Sequence, residues 1–142
     1  MVSRTLVVLQ FAAIAVVLLP IGAPGWIWIG GAVSVTGVAW VAWTVGFNRW
    51  DNFNIRPEPR AGARLVTDGP YRWVRHPMYL GSLIIGAGAC LAGPQPWRLA
   101  AWLLLAFVLV AKARREERGL LAQFPGYAEY RRGRAFLIPG IW

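Results

Sequence analysis

Charged side chains are missing from residues 5–48 of this chain, and the apolar run is interrupted near its middle by Pro20-Ile21-Gly22-Ala23-Pro24-Gly25. A membrane-spanning helix needs about 20 apolar residues, so the run is too long for one span and suits a helical hairpin. The pattern predicts a first span at about 5–22 and a second at about 26–47. A cleaved leader is the rival for the first run, but Pro24 after Ile21-Gly22-Ala23 is a poor cleavage context and the run is long. Residues 77–97 are again uncharged. Pro77 suits a first helical turn, where its missing N–H is no loss, and Gly93-Pro94-Gln95-Pro96 closes the segment. This gives a third span at about 77–93. The fourth run has a strictly uncharged part at 99–111, which reaches only about 20 Å at 1.5 Å per residue against a core of about 30 Å. Its helix is therefore expected to continue through Lys112-Ala113-Arg114-Arg115-Glu116-Glu117, with a span at about 96–116 and an end at Pro125.

Composition strengthens this reading. The chain is 57% hydrophobic and 15% charged, where a soluble domain carries about 25% charge. Nine Trp and four Tyr suit the lipid–water boundary. The expected fold class is all-α: a single domain over 1–142, an integral membrane bundle of four transmembrane helices with a cytoplasmic-side C-terminal helical extension. Lys and Arg set the orientation. One lies before the first span, none in the first connection, six in the second, one (Arg98) in the third and seven in the tail. Fourteen of the fifteen therefore fall on one side, which the positive-inside rule makes cytoplasmic, with both termini there. All six acidic residues share that side, so chemistry using charged groups is expected on the cytoplasmic face.

The net charge of +9 is concentrated in two blocks, 49–75 and 112–134, each starting where an apolar run stops. That placement fits a membrane edge and not a nucleic-acid surface. The expected partner is the lipid bilayer. Cys90 and His76 are the sole residues of their types, so neither an intrachain disulfide nor a Cys/His zinc cluster is available, and no metal is expected.

Three patches carry candidate chemistry. Gly69-Pro70-Tyr71-Arg72-Trp73-Val74-Arg75-His76-Pro77-Met78-Tyr79 packs two Arg, the His and three aromatics into the entry of span three. Arg snorkelling and aromatic anchoring explain part of it, but not the His. Gly86-Ala87-Gly88, with Gly81 and Ser82 before it, offers close helix approach or room for a flat ligand. Arg114-Arg115-Glu116-Glu117, followed by Phe124-Pro125-Gly126-Tyr127 and Tyr130-Arg131-Arg132, can be read as surface ion pairs, Lys112 with Glu116 and Arg114 with Glu117. A carboxylate turned into the bundle would instead be costly unless it bound something. Tyr127 and Tyr130 are expected to return aromatic surface to the membrane edge.

The motif Gly-Pro-Tyr-Arg-Trp-Val-Arg-His-Pro-Met-Tyr-Leu-Gly, followed by Arg-Glu-Glu and Phe-Pro-x-Tyr-x-x-Tyr, resembles the integral membrane methyltransferases over residues 65–139. That family includes the isoprenylcysteine carboxyl methyltransferases and phospholipid N-methyltransferases. The resemblance implies S-adenosylmethionine as methyl donor, held on the cytoplasmic side by His76, Tyr79, Leu80, Gly86, Gly88, Glu116, Glu117, Phe124, Tyr127 and Tyr130. It implies Arg75, His76 and Glu117 as catalytic residues, and a lipophilic or membrane-associated methyl acceptor. The chemistry of the donor agrees. Carboxylates suit its ammonium or ribose, Arg and His its carboxylate, and aromatic faces its sulfonium. Arg72 and Arg75 suit an anionic acceptor, which would need no base, whereas an amine or thiol would need His76 or a Glu. Membrane reductases using NADPH share a similar pattern but carry an Asn where Met78 stands. A non-enzymatic four-span protein or transporter is the third alternative, and no ionisable residue inside the first three runs supports it.

Overall fold

A computed structural model describes residues 2–20, 25–48 and 64–140. The middle of the expected first turn, 21–24, and the first part of the basic connection, 49–63, lie outside the described residues. The elements are α1 (Val2–Leu18), α2 (Ile27–Asn48), a 3-10 turn (Gly69–Arg72), α3 (Pro77–Ala92), α4 (Pro96–Gln123) and α5 (Tyr127–Arg132). Among the described residues the protein is all-helical, with one parallel bridge between Val74 and Ala135. α2 and α4 are long and apolar enough to cross a membrane; α1 and α3 are shorter apolar helices.

The length of α4 follows from its sequence. Pro96 starts it, no glycine interrupts it before Gly119, and Pro125 stops it at the Phe124 cap. Its buried residues Leu105, Val108, Leu109, Lys112, Ala113 and Glu117 recur at helical spacing and form one stripe. The other side is also apolar yet exposed, with Leu103, Leu104 and Phe107 outermost. α2 does the same with Trp28, which is 89% exposed, Val35 and Val38. Apolar surface on both faces is what a lipid solvent asks of a helix.

α2 and α3 pack most closely, antiparallel, through small residues. A Cβ on Gly30 would strike the Ala92 and Gly88 backbone; one on Gly37 would meet Ile85; one on Gly88 would meet Ser34 and Gly30. Removing side chains lets the two backbones approach, so that dispersion and polar contacts operate where hydrophobic burial contributes little. Ser34 Oγ donates to Ile85 O at 3.2 Å and Trp40 Nε1 to Pro77 O at 2.9 Å, which fix the register. α1 lies along α4, and Trp102 Nε1 of α4 donates to Leu83 O of α3 at 2.9 Å. Ala13 of α1, Leu83 of α3 and Leu105, Leu109 and Ala113 of α4 share one core cluster with Phe136 and Leu137.

One end of the bundle is closed by Arg98. Its guanidinium donates to Gly93 O and, at 2.5 Å, to Leu19 O, so a single cation bonds carbonyls at the C-terminal ends of α3 and α1. Those ends carry the negative pole of each helix, which favours a cation there. The opposite end gathers the entry to α3, the last turns of α4 and α5.

Two outcomes follow from this packing. Arg98→Met leaves those carbonyls without their donor and should lower stability by about 1–3 kcal/mol, read as a fall in Tm of the detergent-purified protein. Gly88→Leu should lower stability by about 1–3 kcal/mol through overpacking, while Gly31→Leu, where a Cβ meets nothing within 4 Å, should leave Tm unchanged.

Candidate active site

The chain enters the site through Gly69, whose φ of 59° lies in the left-handed region and whose Cα faces the Phe47 ring. A side chain there would be strained and would also collide, so glycine answers both constraints. The 3-10 turn ends at Trp73, still in the helical region, and Val74, Arg75 and His76 then lead into α3, with His76 out of the helical region before Pro77. The tail returns beside this segment. Arg75 N donates to Ala135 O at 2.9 Å and Ala135 N to Trp73 O at 3.2 Å. This short pairing holds Phe136 against the site.

Glu116 and Glu117 are neighbours on α4 and therefore point about 100° apart. Glu117 is turned inwards. Its Oε1 lies 3.0 Å from Arg75 Nη1 and 3.3 Å from His76 Nε2, and its Oε2 lies 3.8 Å from Arg131 Nη1. Glu116 is more open, with its side chain 34% exposed. Its Oε2 accepts from the Tyr79 hydroxyl at 2.9 Å and lies 3.8 Å from His76 Nδ1. His76 thus stands between two carboxylates, with Nε2 aimed at the nearer one.

Aromatic rings fix the imidazole. Tyr79 stacks on it with centroids 5.5 Å apart and planes 9° apart, and Phe136 meets it edge-on at 5.2 Å. The Arg75 guanidinium also lies over Phe136, 5.2 Å from its centroid. Below them Tyr130 donates to Tyr71 O at 2.8 Å. Burial pushes the Tyr130 phenol up to about 12 and raises those of Tyr71 and Tyr127, so all three remain neutral donors near pH 7. Arg75 Nε and the Tyr127 hydroxyl are buried without a hydrogen bond among the described residues. Tyr127 lies beside Glu117, whose charge acts on its phenol.

The structure therefore brings together Arg75, His76, Tyr79, Glu116, Glu117, Tyr127 and Tyr130. Leu80 is half-buried beside Tyr79, packed on the core, and Phe124 is half-buried at the end of α4. Arg72 is exposed in the 3-10 turn. Gly86 and Gly88 are not in the cluster. They lie about 15–18 Å along α3 from His76, Gly86 against Trp102 and Val17, Gly88 against Ser34 and Gly30. Their role here is close helix packing. Tyr127 and Tyr130, expected at the membrane edge, are buried at 1% and 7% exposure. Lys112, expected in a surface ion pair, is buried between α1 and α4, where its ammonium donates to Gln10 Oε1.

Sequence reasoning did not single out Phe136 or Gln10, and it named Arg131 only within the third patch, without a partner. The apolar Phe136-Leu137-Ile138 after the basic Arg131-Arg132-Gly133-Arg134 was the available signal for a tail that docks, and Gln10 was the lone amide in the first apolar run. Among the described residues no group of three or more His, Cys, Asp or Glu is placed to hold a metal ion.

An all-helical protein with apolar outer faces and a carboxylate–imidazole–guanidinium cluster at one end is the class that fold and site define. Within it, the chain belongs to the phospholipid methyltransferase family, whose model matches residues 25–125. The cobalt-zinc-cadmium resistance protein CzcN of Cupriavidus metallidurans is 40% identical over 86 residues, covering 58% of this chain and 38% of that protein. The nickel-cobalt-cadmium resistance protein NccN of Alcaligenes xylosoxydans xylosoxydans is 33% identical over 118 residues, 80% of this chain and 53% of that protein. The chain thus spans about half or less of the length of these relatives. No solved structure matches it.

The two carboxylates should separate by experiment. Glu117→Gln leaves Arg75 and His76 without their buried anion and should cost about 3 kcal/mol, whereas Glu116→Gln keeps an acceptor for Tyr79 and should cost under about 1 kcal/mol. Denaturation midpoints of the two variants in one detergent check this; equal losses would contradict it.

Proposed function

We propose that this protein transfers a methyl group from S-adenosylmethionine to a lipophilic or membrane-associated acceptor, an isoprenylcysteine-like carboxylate or a phospholipid headgroup. In this reading α1 to α4 span the membrane four times, both termini are cytoplasmic, and the cluster lies at the cytoplasmic boundary. The alternation of helix direction and the fourteen basic residues assigned to one side support that topology. The observation that carries the reaction is the set Arg75, His76, Tyr79, Glu116 and Glu117 gathered at one end, inside the stretch that matches the methyltransferase family.

The residues present fit this donor. Arg75 Nε is a buried donor without a hydrogen bond among the described residues, and a bound carboxylate could accept from it. Glu116 keeps its Oε1 clear of the Tyr79 bond and can accept from an ammonium or a ribose hydroxyl. Bound S-adenosylmethionine supplies the electrophilic methyl group.

The chain's own part is placement. Glu117 pins Arg75 and His76, so the entry to α3 does not drift relative to α4. Such positioning contributes up to about 7–11 kcal/mol in well-oriented reactions. Arg72, exposed beside the cluster, meets an anionic acceptor, and a carboxylate acceptor needs no base. An amine acceptor would need a base; both His76 nitrogens already face carboxylates, so the more open Glu116 is the group to take its proton. Exposed apolar side chains along α1, α2 and α4 let a lipophilic acceptor approach from the bilayer.

Calorimetry on the detergent-purified chain tests this, with S-adenosylmethionine and NADPH titrated separately. Saturable binding of the sulfonium donor alone is expected, and Glu116→Gln should weaken it by about tenfold or more with little change in Tm. Binding of NADPH alone would make the protein a reductase, and binding of neither would remove the enzymatic reading.

A further inference from the structure

Lys112 is 2% exposed, on the stripe of α4 that faces the bundle. An ammonium in such a place is costly unless it is held, and a hydrophobic residue of similar volume would fill the space without that cost. Its contacts include Gln10 and Tyr79. Its Nζ donates to the Gln10 side-chain carbonyl of α1, and it lies over the Tyr79 ring, 5.5 Å from the centroid. The same Tyr79 donates its hydroxyl to Glu116 Oε2 at 2.9 Å and stacks on His76. Lys112 therefore touches the ring that orients both Glu116 and His76. Gln10 lies outside the family match, which begins at residue 25.

We propose that Lys112 is a positioning residue for the methyl-donor site, aimed by Gln10, and that α1 is thereby a working part of that site. The proposal rests on the methyltransferase reading. An ammonium on the ring face fixes the ring by cation–π attraction. It also places a positive charge near the phenol, which strengthens the Tyr79 hydroxyl as a donor to Glu116. Gln10 prevents the flexible lysine from swinging away along the α1–α4 seam.

The test is S-adenosylmethionine binding by calorimetry to the full chain, its Lys112→Met, Tyr79→Phe and Gln10→Leu variants and the Lys112→Met/Tyr79→Phe double variant, with Tm measured for each. Lys112→Met should weaken binding by about tenfold, and Lys112→Arg, which keeps a cation on the ring, should recover most of it. In the Tyr79→Phe background, where the hydroxyl is already gone, Lys112→Met should add less than about twofold. A purely structural lysine would instead give additive losses that follow Tm, and that result, or unchanged affinity in Lys112→Met, overturns the proposal. Should Lys112→Met fail to fold, Gln10→Leu carries the test. It should weaken binding by about threefold, and only while Tyr79 keeps its hydroxyl; no change would overturn the proposal. Wild-type protein that binds no S-adenosylmethionine overturns the methyltransferase reading and this inference together, whereas wild-type binding with additive variants overturns this inference alone.

Discussion

A buried carboxylate that has to be compensated governs the arrangement. Glu117 sits on α4 with its side chain 10% exposed, and it gathers Arg75 and His76 from the segment entering α3 and Arg131 from α5. A charge in that position is tolerated only while its partners stay in place. Three pieces of chain that are far apart in sequence are therefore tied to one pair of oxygen atoms. The tail completes the tie, because Ala135 pairs with the backbone around Val74 and sets Phe136 on both His76 and Arg75.

The helical frame supplies the rigidity that this arrangement requires. Glycines at 30, 37, 81 and 88 bring α2 and α3 together at backbone distance, and Trp40 bonds the first residue of α3. α3 is thus fixed on one side by α2 and on another by Trp102 of α4. At the far end Arg98 joins the C-termini of α1 and α3. Glycine in these helices serves approach between backbones, which is why Gly86 and Gly88 are occupied by neighbouring helices and the polar chemistry collects one end away.

That division has a functional logic. Apolar side chains lie outermost on the helices, while Glu116 and Glu117 gather with Arg75 and His76 at one end and Arg98 stands at the other. Stacked and edge-on rings around His76 limit its freedom without taking its ring nitrogens, which remain turned to Glu116 and Glu117.

The helical class, the ends of the apolar runs, the start of α3 at Pro77 and the continuation of α4 past its charged residues were all legible before any folding. Each follows from local rules, namely period, charge spacing and proline chemistry. The sequence also placed Arg75, His76, Tyr79, Glu116 and Glu117 on the short list, through two motifs in order. What it did not contain was which of two adjacent glutamates turns inwards, because that depends on the rotation of α4 against α3. Nor could it say that Lys112 faces Gln10 across 102 positions of sequence, or that Tyr127 and Tyr130 are buried. Those are decided by packing between distant segments, where a rotation of one residue, about 100° on a helix, exchanges an exposed charge for a buried one.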